Sequence, residues 1–204
     1  MVPSIADLIY SYNEEYLFVH QYIANEAIVD GNTATVQTFY PADGKVSVSY
    51  SGKKLALRKP AWCDEVICDA PYTEEKGYLY FDTDRVCIEF VMKPIFYTAS
   101  HLVHEDAGRV ALMRGPIVYC IESKDQAAEV FRLCVDADAT VTLTEETYGG
   151  FPVLQASGSV LPQQQSLYAP YRATENTPCT LRFIPYHTFA NRGEDDMQVW
   201  VGKK

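Results

Sequence analysis

The 204-residue sequence has no uninterrupted apolar run near the length of about 18 residues that a membrane-spanning helix requires. It also lacks the hydrophobic core of a secretory signal peptide and any Asn-X-Ser/Thr glycosylation site. Nothing in the sequence therefore points to export or to a membrane partner, and we expect a cytoplasmic protein.

The sequence also has no excess of basic residues. Lysine and arginine together number 17, against 27 aspartates and glutamates, which gives a formal net charge of −10. Nucleic acids and anionic membrane surfaces would repel such a chain, so we expect neither as a partner. Hydrophobic residues make up 48% of the sequence, which is ordinary for a folded protein with a buried core.

No two cysteines have the CxxC spacing of a redox or zinc motif. The chain has six scattered cysteines: Cys63, Cys68, Cys87, Cys120, Cys134 and Cys179. Several lie inside apolar runs, where a thiol behaves as a small hydrophobic group. Because a disulfide framework is typical of short secreted chains, we predict free thiols here.

Helix-forming signals are scarce, and short strand patterns follow one another along nearly the whole chain. Val46, Val48 and Tyr50 alternate with polar residues, which is the period of a strand with one buried face. Turn sequences such as Asp30-Gly31 separate the strands at intervals of roughly 8–12 residues. The pattern predicts an all-β chain of two β-sandwich-like domains, with antiparallel strands and very little helix.

A polar, glycine-containing segment at residues 105–108 divides the chain into two halves of sandwich size. We predict a first β-sandwich domain over residues 1–105 and a second over residues 106–204. Two placements of the last strand remain open: it could belong to the second domain, or it could return to the first domain.

Several ordered motifs resemble one enzyme family. They are YPADG (residues 40–44), LRKPAWC (57–63), DAGRVALMRGPIVYCIE (106–122) and IPYHTFANRGEDDMQVW (184–200). Together they resemble the C-terminal region of glycoside hydrolase family 127, the β-L-arabinofuranosidases that were once a domain-of-unknown-function family. Ala42 stands where the family usually has Trp, and Lys59 stands where it usually has Ile.

The resemblance implies a parent enzyme of bacterial carbohydrate metabolism in which a helical barrel carries the chemistry and β-sandwiches follow it. Family catalysis resembles retaining hydrolysis by a zinc-bound cysteine, with a glutamate as acid/base and an adjacent Cys-Cys pair among the zinc ligands. This sequence has no Cys-Cys pair. We therefore expect no cofactor and no catalytic residue in this chain, and residues 1–12 resemble a remnant of the end of the barrel.

A zinc site of the chain's own is a separate hypothesis. Cys63 and Cys68 are separated by four residues, and His101 and His104 form an HxxH pair. A structural zinc ion needs four ligands close together, so the fold would have to bring the two pairs into contact. We favour solvated histidines and no metal ligands.

An unaided hydrolytic site is the least favoured alternative. Glycoside hydrolysis needs two suitably spaced carboxylates, or one carboxylate and another nucleophile, on either side of one bond. The candidate carboxylates are spread over different strands and turns: Glu26, Glu105, Asp106, Glu122 and Glu194. No pair stands out, and we interpret them as exposed side chains and turn acceptors.

Carbohydrate binding is the alternative that the aromatic content favours, since Tyr and Trp offer flat apolar faces for sugar stacking. The candidate binding residues are Trp62, Tyr168, Tyr171, Tyr186 and His187. The competing interpretation is that Trp62 and Trp200 pack inside the cores. For Arg192, fixing a loop through backbone carbonyls and docking onto the barrel both remain open.

The sequence therefore predicts a non-catalytic accessory region that supports or dimerises a family 127 enzyme. Its expected partner is the upstream catalytic barrel or a second copy of the chain. A carbohydrate-binding module is the alternative, and a self-sufficient glycoside hydrolase is a more distant one.

Overall fold

The computed structural model describes residues 2–170 and 175–204. The chain divides into two compact units, and the division falls between Met92 and Lys93 in the sequence. Strands dominate both units, and the helical residues that the structure describes form short 3₁₀ helices alone. The prediction of an all-β chain with very little helix is confirmed. Among the described residues, no helix has the length and apolarity needed to cross a membrane.

Within residues 2–92, the first unit contains two five-stranded sheets. Its strands are β1 (Tyr10–Tyr12), β2 (Tyr16–Val19), β3 (Asn25–Val29), β4 (Asn32–Thr38), β5 (Lys45–Tyr50), β6 (Lys54–Arg58), β7 (Val66–Cys68), β8 (Tyr72–Glu75), β9 (Tyr78–Phe81) and β10 (Arg85–Phe90). One sheet has the order β1-β2-β6-β9-β8, and the other has the order β3-β4-β5-β10-β7. A 3₁₀ helix at Val2–Leu8 precedes β1, so the 1–12 segment ends as an edge strand paired with β2.

The two sheets of the first unit share one hydrophobic core. Leu57 and Phe81 from one sheet and Val48 and Phe90 from the other belong to the same buried cluster. The alternation predicted for Val46, Val48 and Tyr50 is confirmed, because all three are buried on β5 and the residues between them are half-buried. Burial on one face of each sheet is what packs the two sheets into a sandwich.

Over its described residues, the second unit contains nine strands in one continuous sheet. They are β11 (Pro94–Tyr97), β12 (Arg109–Arg114), β13 (Ile117–Glu122), β14 (Leu133–Val135), β15 (Thr142–Tyr148), β16 (Phe151–Val160), β17 (Thr177–Pro185), β18 (Met197–Gln198) and β19 (Trp200–Lys203). The order is β11-β12-β19-β14-β16-β17-β13-β18, with β15 paired to β16. Pairing of β12 with β13 joins six of these strands into a closed ring around Leu112, Tyr119, Leu154, Phe183 and Val201.

The division between the units falls before β11, whereas the sequence places it near residue 105. All four residues of β11 pair with β12, so this strand is held by the second unit. The last strand, β19, pairs with β12 on one side and with β14 on the other, and both neighbours lie in the second unit.

Candidate functional site

A cluster of charged side chains lies where the loop at residues 189–196 meets the end of β13. Glu122, the last residue of β13, is fully buried and accepts hydrogen bonds from the Ala190 backbone N–H, at 2.9 Å, and from the Arg192 guanidinium. Asp125 accepts from Arg192 Nη1 at 2.9 Å and from Arg182 Nη1 at 2.7 Å. Arg192 therefore neutralises two carboxylates that the fold has removed from water.

Tyr148 completes this cluster from β15. Its ring lies 4.7 Å from the Arg192 guanidinium carbon and 5.4 Å from that of Arg182, which is cation–π geometry. The Tyr148 hydroxyl also accepts a hydrogen bond from Arg192 Nη1 at 3.0 Å. We call Glu122, Asp125, Tyr148, Arg182 and Arg192 the ionic cluster.

The pKa shifts in the ionic cluster and at the neighbouring Cys120 favour a structural role for these residues over a catalytic one. Hydrogen bonds from Arg192, together with the positive charge of Arg182, hold the pKa of the Asp125 carboxyl below its ordinary value. Burial and the nearby Glu122 carboxylate raise the pKa of the Cys120 thiol to about 12. A thiol with that pKa stays protonated at neutral pH, so Cys120 is a poor nucleophile.

Backbone contacts tie the same loop to the segment after β13. The Lys124 N–H donates to Asp195 Oδ2 at 2.7 Å, and Lys124 Nζ donates to the Gly193 carbonyl at 3.0 Å. The Ser123 N–H donates to the Asp196 carbonyl at 3.0 Å. The two longest motifs of the sequence, residues 106–122 and 184–200, are thus joined in space. Among the described residues, the Arg192 guanidinium bonds to the side chains of Glu122, Asp125 and Tyr148 and not to the backbone carbonyls that the sequence suggested.

Trp62, the first predicted sugar-binding residue, lies in the first unit and packs on its core. Its ring is stacked 6.5 Å from Tyr40 and meets Phe90 edge-on. A cavity of about 220 Å³ adjoins Trp62 and Tyr40, and its wall includes His20 and Arg58.

The other predicted sugar-binding residues belong to the second unit. Tyr186 and His187 are neighbours in the 3₁₀ helix Tyr186–Thr188, but they have different surroundings. His187 meets the Phe151 ring edge-on at 4.8 Å, whereas Tyr186 lines a groove with Phe131 and Trp200. Tyr168 is almost fully exposed in a loop. Tyr171 lies outside the described residues.

The residues considered for zinc do not form a ligand set in the described chain. The Cys63 and Cys68 thiols donate to the carbonyls of Glu65 and Ala70, at 3.1 and 3.0 Å. His101 and His104 are exposed residues of the second unit, whereas both cysteines belong to the first. Over residues 2–170 and 175–204, no group of three or more His, Cys, Asp or Glu side chains has the geometry to hold a metal ion. All six thiols are free, which confirms that prediction.

The carboxylates considered for hydrolysis have separate environments. Glu122 is bonded to Arg192, and Glu26 is exposed on β3 of the other unit. Glu105 and Asp106 are consecutive residues of the 3₁₀ helix His104–Asp106, and Glu194 is exposed in the loop after Arg192. The fold therefore defines an all-β region whose buried charges form salt bridges.

Comparison with known proteins places this region in a family. Residues 94–202 match the C-terminal domain of glycoside hydrolase family 127. The chain is also 30% identical to the non-reducing end β-L-arabinofuranosidase of Bifidobacterium longum subsp. longum, over 98% of its own length and 35% of that enzyme's. The chain belongs to glycoside hydrolase family 127.

Solved structures agree with this assignment. The family 127 β-L-arabinofuranosidase of Geobacillus stearothermophilus T6 superposes with a TM-score of 0.80 at 30% identity, covering all of this chain and 36% of the enzyme. A second family 127 β-arabinofuranosidase shares the fold with a TM-score of 0.79 at 24% identity. The chain thus spans about a third of the length of the relatives it matches.

Proposed function

We propose that this chain is a non-catalytic accessory region that supports the catalytic domain of a family 127 glycoside hydrolase. One observation carries the proposal: almost the whole chain matches relatives of which it covers 35–36%, and its second unit matches the domain named for the C-terminus of the family. A region that is matched throughout, yet forms only a third of an enzyme, is suited to assist chemistry performed elsewhere in the protein.

The chemistry of the described side chains supports the same proposal. Two reactive groups within the family motifs have structural surroundings. Arg192 is bonded to Glu122 and Asp125, and the Cys120 thiol is buried with a raised pKa. These groups hold the 184–200 segment against β13. A rigid loop of this kind is suited to presenting a fixed surface to another domain.

The first unit offers a surface on which such a domain would fit. Phe39 and Ile67 remain 82% and 56% exposed, and they line an apolar groove of about 710 Å³ beside β5, β7 and β10. Exposed apolar surface is a common feature of interaction sites. We assign this groove to the catalytic domain, and a second copy of the chain is the competing occupant.

Truncation of the Geobacillus relative ahead of the matched region tests the supporting role. We expect the shortened enzyme to show lower soluble yield and an earlier thermal inactivation, because its docking surface becomes exposed to water. Light scattering on both forms tests the dimer contact: a dimer that becomes a monomer on truncation assigns that contact to this region. Unchanged yield, stability and activity would contradict the supporting role.

A further inference from the structure

Three aromatic side chains from distant parts of the second unit converge on one groove. Phe131 comes from the 3₁₀ helix Val130–Arg132, Tyr186 comes from the 3₁₀ helix after β17, and Trp200 opens β19. The groove has a volume of about 350 Å³, which lies within the usual range for small-ligand sites. Phe131 and Tyr186 remain 65% and 47% exposed, so two of the three rings face solvent in large part.

Polar side chains with free hydrogen-bonding capacity line the same groove. In the part of the chain that the structure describes, no hydrogen bond or ion pair engages the side chains of Asp106, Arg109 or Gln198. Asp106 supplies acceptors, Arg109 supplies donors, and the Gln198 amide supplies both. The cavity beside Trp62 differs, because His20 is hydrogen-bonded to Tyr78 and Ser11, and the Trp62 ring packs against Tyr40 and Phe90.

This combination of groups matches a neutral polyhydroxylated ligand. The rings provide apolar faces for the C–H side of a sugar, and the mixed donors and acceptors suit its hydroxyl groups. One acidic and one basic side chain balance each other, so the groove does not select for an ion. The overall charge of −10 further disfavours an anionic ligand.

We propose that the groove of Phe131, Tyr186 and Trp200 is a carbohydrate-binding site for neutral oligosaccharides. Arabinofuranosides are the first probes to use, because the similar enzymes are named for acting on β-L-arabinofuranosyl ends. This site is separate from the proposed accessory role. Because binding is measured on the 204-residue chain alone, the result does not depend on whether the chain supports a catalytic domain. The open groove and small number of polar contacts lead us to expect a dissociation constant on the order of 1 mM.

Titration of the isotope-labelled 204-residue chain with a short arabinofuranosyl oligosaccharide, followed by NMR, tests the site. We expect chemical-shift changes centred on residues 106–109, 131, 186 and 197–200. Phe131→Ala should weaken binding about tenfold through the loss of one stacking face. It should leave the fold intact, because that side chain is largely exposed.

Tyr12→Ala is the matched control, because Tyr12 is an exposed aromatic residue of the first unit and should not affect binding. Absence of shift changes up to about 10 mM ligand would overturn the proposal. Binding that survives Phe131→Ala and Tyr186→Ala but is lost in Trp62→Phe would also overturn it, since the sugar would then lie beside Trp62.

Discussion

Arg192 bridges two carboxylates that burial would otherwise leave uncompensated. Glu122 is fully buried and the Asp125 side chain is only 7% exposed, while the Arg192 side chain is 26% exposed. Removing one partner of a buried ion pair costs far more than the pair contributes to folding, because the remaining charge is stranded in a medium of low polarity. The importance of Arg192 therefore follows from its partners' burial.

The substitution Arg192→Ala should lower the free energy of unfolding by about 3 kcal/mol. Arg192→Lys should recover part of this loss, because a single ammonium keeps the charge but cannot form the guanidinium's bonds to both carboxylates. Urea unfolding monitored by fluorescence and circular dichroism measures both effects.

Glu129→Gln is the control for Arg192→Ala. It removes the charge from an exposed pair with Arg132 in the same unit and should leave the unfolding midpoint unchanged within error. An Arg192→Ala midpoint as high as that of Glu129→Gln would show that the ionic cluster does not stabilise the second unit.

Asp125 makes the stability of the second unit depend on pH. Its pKa in the folded protein is lowered by Arg192 and Arg182 below the ordinary value of 3.8. The carboxylate therefore stabilises the fold fully above that value, and this contribution disappears as the pH falls through the lowered folded-state pKa. Below both pKa values, a protonated Asp125 gives no such stabilisation.

We expect the difference in unfolding free energy between the native chain and Asp125→Asn to shrink as the pH falls from about 6 to about 2. Urea titrations at fixed ionic strength across this range measure it. A difference that stays constant with pH would show that the charge of Asp125 does not stabilise the fold.

Single residues of the ionic cluster can be recognised from the sequence, but the contacts between them cannot be predicted from it. Arg192 is recognisable as part of a motif, yet its partners Glu122 and Asp125 lie 70 and 67 residues earlier. Glu122 is an acidic residue at the end of the apolar strand β13. That position was the feature of the sequence that could have indicated a buried ion pair. Without strand order, no rule of spacing connects it to Arg192.

At the scale of elements, the connection between β4 and β5 depends on Gly44. A Cβ atom added there would lie 2.0 Å from the Phe90 carbonyl oxygen, and the Gly44 carbonyl accepts a hydrogen bond from the Phe90 N–H at 2.9 Å. The close approach brings this turn against the end of β10. It gives a steric reason for the glycine in the YPADG motif.

Gly44→Ala should lower the free energy of unfolding by about 3 kcal/mol, because two backbone segments must separate to admit the methyl group. Gly31→Ala is the matched comparison in the same unit. Gly31 has a φ of 77° and open space around it, so alanine there should cost about 1 kcal/mol. Thermal unfolding of both variants checks this ranking, and an equal loss would contradict the steric explanation.

Individual strands were predictable from the sequence, whereas their arrangement was not. The alternation on β5 predicts its buried face directly, because side chains of a strand point to opposite sides. Closure of the second unit depends on the pairing of β12 with β13 and of β19 with β14, which strand spacing does not encode. The same limit explains why β11, before the polar 105–108 segment, is held by the second unit.

At the scale of the whole molecule, membership of a glycoside hydrolase family and the ability to perform hydrolysis are separate properties. The chain is rich in strands and matches about a third of the length of its family 127 relatives. Arg192 and the Cys120 thiol, which lie in the family motifs, are engaged within the fold. An accessory role requires surfaces, and the apolar groove of the first unit and the aromatic groove of the second provide them. Neither surface requires this chain to break a glycosidic bond.

Hydrolysis of an aryl β-L-arabinofuranoside by the purified 204-residue chain, with zinc and a reductant present, tests this account most directly. The full-length Geobacillus relative serves as the positive control. We predict no release of the aryl group above the buffer rate. Turnover by the chain that a substitution within it abolishes, for example Cys63→Ala or Glu105→Gln, would contradict the account.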